Sequence, residues 1–112
     1  MNGLFVKIFR FAALFVAALG VFAVTAHAQD APGVYKAKCA VCHGPDGKAD
    51  TAVGKKLGAR DFASPDVAKE SDEQLIEVVT KGRNKMPAYG TSLKDTQIKD
   101  LVGYLRDLAK KK

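Results

Sequence analysis

The apolar residues of this chain are concentrated at its N-terminus, which limits what the remainder can fold into. Of the first 28 residues 21 are hydrophobic, against 32 of the remaining 84, and Phe62 is the one phenylalanine of six that lies after residue 28. A domain of this size with few large apolar side chains has a marginal core. With 112 residues, one long apolar stretch and two cysteines, the sequence excludes a multidomain enzyme, a multi-pass membrane protein and a disulfide-rich miniprotein. It predicts that a metal or a large cofactor completes the core.

Residues 1–28 have the features of a secretory signal peptide. Lys7 and Arg10 precede a long apolar run without charges, and Ala26-His27-Ala28 has the small-x-small form of a cleavage site. We expect cleavage after this tripeptide, which leaves a domain over residues 29–112. The alternative is an uncleaved anchor, because the uncharged stretch is almost long enough to span a bilayer. Export predicts a periplasmic protein with no nucleic-acid partner and, after cleavage, no stable membrane insertion.

The balance of charges is modestly basic. The chain has 18 Lys and Arg against 12 Asp and Glu, a formal charge of +6, and loss of the signal peptide would leave +4. Such a charge favours association with acidic protein surfaces or anionic lipid. A role in solubility alone explains the positive charge equally well.

The sequence Cys39-Ala40-Val41-Cys42-His43 is the strongest chemical signal in the chain. This pattern is typical of c-type haem attachment. Two cysteines three residues apart on a helix share one side, so both thiols can add to the vinyl groups of one haem. His43 follows at once and can bind the iron from one face.

Three other interpretations of the two cysteines compete with haem attachment. A thioredoxin-type redox pair requires a strand-helix context that the sequence does not show. A zinc site requires four ligands, and residues 29–112 offer Cys39, Cys42 and His43. A structural disulfide would close a loop of only a few residues and stabilise little.

Met86 is the candidate for the second axial ligand of the iron. His43 and Met86 are the single histidine and the single methionine of residues 29–112. A methionine framed by Gly82 and Pro87 is unusually placed for a core filler, which is the common role of methionine. Histidine and methionine together leave the iron no open position, and thioether ligation raises its reduction potential. These ligands suit one-electron transfer rather than oxygen or substrate chemistry.

The periodicity of apolar residues predicts an all-α domain of three to four helices. The apolar face of the last helix contains Ile98, Leu101, Val102, Leu105 and Leu108, and Gly103 within it indicates a close packing contact. The expected elements, in chain order, are a helix over 31–41, a loop over 44–58, a short helical turn at Ser64-Pro65-Asp66, a helix from the capping box at Ser71 to Gly82, and a last helix capped by Asp95.

These features together resemble the small class I cytochromes c, the single-haem electron carriers of the bacterial periplasm. The resemblance extends from Gly33 and Tyr35, through the cysteine motif and Met86-Pro87, to Tyr104 in the last helix. It implies a helical fold wrapped around one covalently attached haem c, with Gly33, Tyr35 and Tyr104 where the first and last helices cross.

The resemblance also implies further site residues. The backbone carbonyl of Pro45 would accept a hydrogen bond from the ring of His43 and fix its orientation. Leu57 and Phe62 would line the haem pocket.

The expected function is outer-sphere electron transfer by a monomer that is not an enzyme. Its partners would be redox proteins with acidic docking patches. Two alternatives stay open, namely a haem-bearing subunit of a larger oxidoreductase and a haem gas sensor or catalyst with a displaceable Met86. The cations expected near the haem edge are Lys36, Lys38, Lys48, Lys55, Lys56, Lys81, Arg83 and Lys85.

Overall fold

The computed structural model describes Gly20 and residues 30–111. The predicted signal peptide, Gly20 apart, lies outside the described residues. Within residues 30–111 the fold is all-α, as predicted, with one isolated antiparallel bridge between Arg83 and Met86. No helix in this part of the chain has the length and apolarity needed to cross a membrane. The helices are α1 (Ala31–Lys38), α2 (Ala40–His43), α3 (Ala52–Leu57), α4 (Pro65–Lys69), α5 (Asp72–Lys81) and α6 (Asp95–Lys110).

The predicted first helix is divided in two at Cys39. Asp30 caps α1 by accepting a hydrogen bond from the Gly33 amide at 3.0 Å, and α1 ends at Lys38. Cys39 keeps helical backbone angles, and its carbonyl accepts a hydrogen bond from the His43 amide at 3.0 Å. The motif therefore still forms one helical turn, although it is not a continuation of α1.

Helix α3 lies inside the segment predicted to be a loop, and that prediction was wrong for Ala52–Leu57. The Thr51 side chain caps it by accepting a hydrogen bond from the Gly54 amide at 2.8 Å. The same hydroxyl donates to the carbonyls of Val41 at 2.9 Å and Cys42 at 3.1 Å. One threonine therefore both starts α3 and attaches it to the backbone of the cysteine motif.

The later helices follow the sequence prediction with two corrections. The capping box of α5 is present in full, with hydrogen bonds between Ser71 and Gln74 in both directions. Lys94, rather than Asp95, occupies the N-cap of α6, because its backbone is extended while its carbonyl accepts the hydrogen bond of the Ile98 amide at 3.0 Å. The Gln97 side chain accepts the hydrogen bond of the Lys94 amide. Gly103 is exposed and a Cβ there would meet nothing within 4 Å, so the expected close contact is absent.

The core forms where α6 packs against α1 and α5. The five residues of the predicted apolar face of α6 are all buried. From α1, Val34 and Tyr35 are 1% and 3% exposed, and the ring of Tyr35 meets Tyr104 edge-on with 5.3 Å between centroids. The predicted contact of the first and last helices through aromatic residues is thus confirmed, and it holds the motif against the core.

Candidate cofactor site

A cavity of about 600 Å³ opens between the cysteine motif and the loop that follows α5. This volume is in the range of small-molecule and cofactor sites. All four residues with ligand or attachment chemistry in the predicted site, Cys39, Cys42, His43 and Met86, line it. Apolar side chains that share the lining include Leu57, Phe62, Val67, Leu75, Val79, Leu101 and Leu105.

The two cysteines reach the cavity as half-buried free thiols. Burial raises the pKa of Cys39 to about 11, an effect that Lys38 opposes and Cys42 reinforces. Cys39 is therefore a protonated thiol at neutral pH, and the structure joins it to no other sulfur. Both thiols are available for a covalent link to a group in the cavity.

The ring of His43 is oriented by a backbone carbonyl. Its Nδ1 lies 3.0 Å from the oxygen of Arg60, and burial lowers the pKa of the imidazole. A neutral ring whose Nδ1–H donates to a carbonyl has its lone pair on Nε2, which is the form that binds a metal. The protonation state and the hydrogen bond thus both prepare His43 to act as an axial ligand.

The predicted hydrogen bond between His43 and Pro45 is absent, and this expectation was wrong. The Gly47 amide donates to the Gly44 carbonyl at 3.2 Å, so Pro45 lies at the outer corner of a turn. Pro45 is exposed and does not line the cavity. The turn directs Pro45 away from the histidine, and Arg60 supplies the carbonyl instead.

Phe62 packs against one face of the His43 ring. The two rings stack with 4.7 Å between centroids and an interplanar angle of 26°, and Phe62 is 8% exposed. Phe62 also meets Tyr35 edge-on, and the Tyr35 hydroxyl donates to the Gly44 carbonyl at 2.6 Å. Phe62 and Leu57 both line the cavity where they were expected, although Leu57 remains 38% exposed.

Met86 lies in a loop that folds back on the end of α5. The Arg83 and Met86 backbones exchange two hydrogen bonds, at 2.9 and 3.2 Å. Gly82 ends α5 with φ +75°, and a Cβ there would lie 2.7 Å from the Met86 carbonyl oxygen, so the position requires glycine. The amides of Tyr89 and Gly90 donate to the carbonyls of Val79 and Thr80 at 2.9 and 3.0 Å.

Of the eight predicted cations, five do not line the cavity: Lys36, Lys48, Lys55, Lys56 and Lys81. Lys38, Arg83 and Lys85 line the cavity. Lys55 and Lys81 form ion pairs with Asp50 at 2.8 Å and Glu77 at 2.9 Å. Arg83 also forms an ion pair, with Glu70 at 2.9 Å.

The sequence did not predict three groups that hold the site residues in place. The Arg60 carbonyl and the Thr51 hydroxyl were not predicted, nor was the Glu70 carboxylate, whose oxygens meet Arg60 at 2.9 and 3.2 Å. An N-cap threonine before Gly54 was a signal that could have revealed α3. Across the described residues, no group of three or more His, Cys, Asp or Glu forms a site for a metal ion alone.

Comparison with known proteins identifies the class to which this fold and cavity belong. Residues 26–105 match the family described as "Cytochrome C oxidase, cbb3-type, subunit III", which covers more than half of the chain. The chain is 34% identical to cytochrome c6 of Nostoc sp., over 83% of this chain and 81% of that one. This protein belongs to the c-type cytochromes, as a small class I member that carries covalently bound haem c and transfers electrons.

The chain also resembles a solved structure and part of a longer protein. The solved structure of the KustC0563 c-type cytochrome superposes with a TM-score of 0.65 at 36% identity, covering 71% of this chain and 98% of that one. The chain is also 34% identical, over 74% of its length, to the Cbb3-type cytochrome c oxidase subunit CcoP of Azospirillum brasilense. It spans 29% of the length of that subunit.

The residues present fit a haem. The cavity is apolar over most of its wall, it has two free thiols on one helical turn, and it holds one neutral imidazole and one thioether. These are the groups that c-type haem attachment and closed axial ligation require.

Proposed function

We propose that this protein is a periplasmic one-electron carrier in which four residues hold the haem. Cys39 and Cys42 form the thioether links, and His43 and Met86 are the axial ligands of the iron. The observation that carries this proposal is that two segments far apart in sequence bring these four side chains to one cavity. When bound, haem supplies a reversible Fe(III)/Fe(II) couple.

The protein's own residues account for attachment and for closed ligation. Each thiol would add its sulfur and its hydrogen across one vinyl double bond of a haem, so the link would need no oxidant. The Arg60 carbonyl accepts the hydrogen bond of His43 Nδ1–H and so selects the tautomer with its lone pair on Nε2, and Phe62 stacks on the ring. The apolar lining would limit the access of water to a bound haem, which favours electron transfer over ligand chemistry.

Lys38 and Lys85 are the best candidates for docking an acidic partner. Both are exposed and both line the mouth of the cavity. Within residues 30–111 neither belongs to a salt bridge, whereas Lys55, Lys81 and Arg83 do. Unpaired charges at the edge of a site steer encounter more than charges already neutralised by a neighbour.

Electron transfer between the holoprotein and an acidic redox protein tests this docking role. At low salt, Lys38→Gln/Lys85→Gln should slow the second-order rate by about tenfold, because steering charges act mainly on association. The difference should shrink as ionic strength rises. Lys99→Gln/Lys110→Gln, which removes two exposed lysines that do not line the cavity, is the matched control. Equal rates for Lys38→Gln/Lys85→Gln and the control would contradict the docking role.

We propose in addition that residues 1–28 are removed on export and that residues 29–112 form the working domain. The positive start, the apolar run and the Ala26-His27-Ala28 site support this. N-terminal sequencing of the exported protein should find Gln29 first. A start at Met1 or Asn2 would support the membrane anchor instead.

A second candidate function is that of a haem-bearing subunit in a larger oxidoreductase. The similarity to subunit CcoP, of which this chain spans 29%, favours that candidate. A stable monomer with a reversible midpoint potential supports the free carrier, whereas obligate co-purification with other subunits supports the second candidate. Carbon monoxide binding to the untreated ferrous protein would instead favour the sensor or catalyst.

A further inference from the structure

The Glu70 carboxylate lies between two loops that are far apart in sequence. Its two oxygens meet the guanidinium of Arg60 at 2.9 and 3.2 Å, in a bidentate pair. One of these oxygens also accepts a hydrogen bond from Arg83 at 2.9 Å. Bidentate pairs between arginine and carboxylate fix geometry as well as adding stability.

Each of the two arginines is joined through its backbone to one proposed axial ligand. The carbonyl of Arg60 holds Nδ1 of His43 at 3.0 Å. The amide and carbonyl of Arg83 pair with the carbonyl and amide of Met86 at 3.2 and 2.9 Å. One carboxylate therefore connects the segment that orients the histidine with the segment that presents the methionine.

Glu70 is itself held in place by α6. Its backbone carbonyl accepts a hydrogen bond from Arg106, which also donates to the Val67 carbonyl at 3.2 Å and to Asp72 at 3.1 Å. The Glu70 side chain is 18% exposed, against 61% for Glu77 in the Glu77–Lys81 pair on the same face of the molecule. Exposed pairs such as Glu77–Lys81 contribute little, whereas a partly buried, multiply bonded carboxylate constrains its partners.

We propose that Glu70 is a positioning residue, which through Arg60 and Arg83 fixes the two axial-ligand segments relative to each other and keeps Met86 on the iron. This inference rests on the proposed ligand set of His43 and Met86. Glu70 does not itself line the cavity that holds the haem. It acts through the two arginines and is not a ligand.

The test compares Glu70→Gln with Glu77→Gln in the ferric holoprotein. Both changes remove one negative charge and keep the size of the side chain, so they differ in the contacts that they break. The readouts are the long-wavelength absorption band of Met–iron ligation and the affinity for added imidazole, which must displace the methionine. Because the one charged hydrogen bond from the Met86 loop, donated by Arg83, loses its anionic acceptor, Glu70→Gln should bind imidazole about tenfold more tightly than the wild type. Glu77→Gln should match the wild type.

Arg83→Gln keeps the test decisive if Glu70→Gln fails to fold. The Arg83 side chain is 51% exposed, and its loss leaves the Arg60–Glu70 pair intact. Arg83→Gln alone should raise imidazole affinity, and adding Glu70→Gln should give less than the product of the two single effects, because both break one shared contact.

The outcomes separate this inference from the proposed ligand set. A Met–iron band in the wild type, with tighter imidazole binding in Glu70→Gln or Arg83→Gln but not in Glu77→Gln, supports the positioning role. The same band with unchanged imidazole affinity in Arg83→Gln and in any folded Glu70→Gln protein overturns the role and leaves the ligand set standing. Absence of the band from the wild type overturns the ligand set and this inference with it.

Discussion

The two sides of the cavity are built in different ways. On the histidine side, side-chain contacts add to the backbone hydrogen bonds: Phe62 stacks on His43, Tyr35 bonds to Gly44, and Thr51 attaches α3 to the motif. On the methionine side, backbone hydrogen bonds are the main contacts, through the Arg83–Met86 bridge and the amides that return to the end of α5. Two side-chain contacts join the methionine loop to the rest of the domain. They are the Arg83–Glu70 ion pair and a hydrogen bond that the Tyr89 hydroxyl donates to the Lys38 carbonyl at 3.2 Å.

This difference predicts where the site opens. The buried aromatic side chains of the histidine side lose apolar contacts if they move, whereas most of the methionine loop is exposed and buries little. Segments with few buried contacts and exposed backbone hydrogen bonds open at the lowest free energy. Exchange of an iron ligand should therefore occur on the methionine side, with the histidine side remaining folded.

Alanine substitutions of the two proposed ligands test this asymmetry with the largest expected effects. His43→Ala removes the ring between Arg60 and Phe62, and should lower the free energy of unfolding of the holoprotein by about 3–5 kcal/mol. Met86→Ala removes a half-buried side chain, and should cost about 1–2 kcal/mol while opening the iron to carbon monoxide. Urea unfolding and the ferrous carbon monoxide spectrum measure both effects. Equal losses of stability, or a Met86→Ala protein that does not bind carbon monoxide, would contradict the comparison.

A pair of glycine substitutions sharpens the comparison on the histidine side. Gly47 has φ +75°, and a Cβ there would lie 2.5 Å from Cδ2 of Phe62, which stacks on His43. Gly47→Ala should therefore destabilise by about 2 kcal/mol and lower Tm by about 10 °C. Gly103→Ala, in the exposed part of α6, is the control and should stabilise by about 0.5–1 kcal/mol. A Gly47→Ala protein as stable as the wild type, or more stable, would show that Gly47 and Phe62 are not packed as tightly as described.

The acid response of Glu70 gives a smaller effect. Hydrogen bonds from Arg60, and next from Arg83, hold the pKa of Glu70 below its usual value, although burial opposes them. The stabilisation is therefore fully present above the ordinary glutamate pKa of about 4.3, and it is lost as the pH falls through the lower folded value. The difference in unfolding free energy between wild type and Glu70→Gln should be constant above that pH and shrink below it. A difference that grows on acidification would contradict the assigned contacts.

The sequence predicted those parts of the site whose chemistry depends on residue type. Thiols, imidazole and thioether are rare groups, so Cys39, Cys42, His43 and Met86 could be found by inspection. The Ser71 capping box and the apolar face of α6 followed from local spacing, and the structure confirms both.

The backbone partner of His43 and the tertiary contacts of Glu70 could not be predicted from the sequence, for physical reasons. Every residue has a carbonyl, so nothing in the sequence distinguishes Arg60 from Pro45 as the partner of His43. The contacts of Glu70 with Arg60 and Arg83 join residues 10 and 13 positions apart through tertiary structure, and no helical spacing indicates them. Short α3 has too few residues for a periodic signal, so its N-cap Thr51 was the one local sign of it.

Denaturing mass spectrometry of the exported protein is the sharpest test of whether one haem is covalently attached at Cys39 and Cys42. We expect the mass of residues 29–112 plus one haem, with the added mass on the peptide that contains both cysteines. A folded but colourless protein with the bare polypeptide mass, or a haem that dissociates on denaturation, would contradict it.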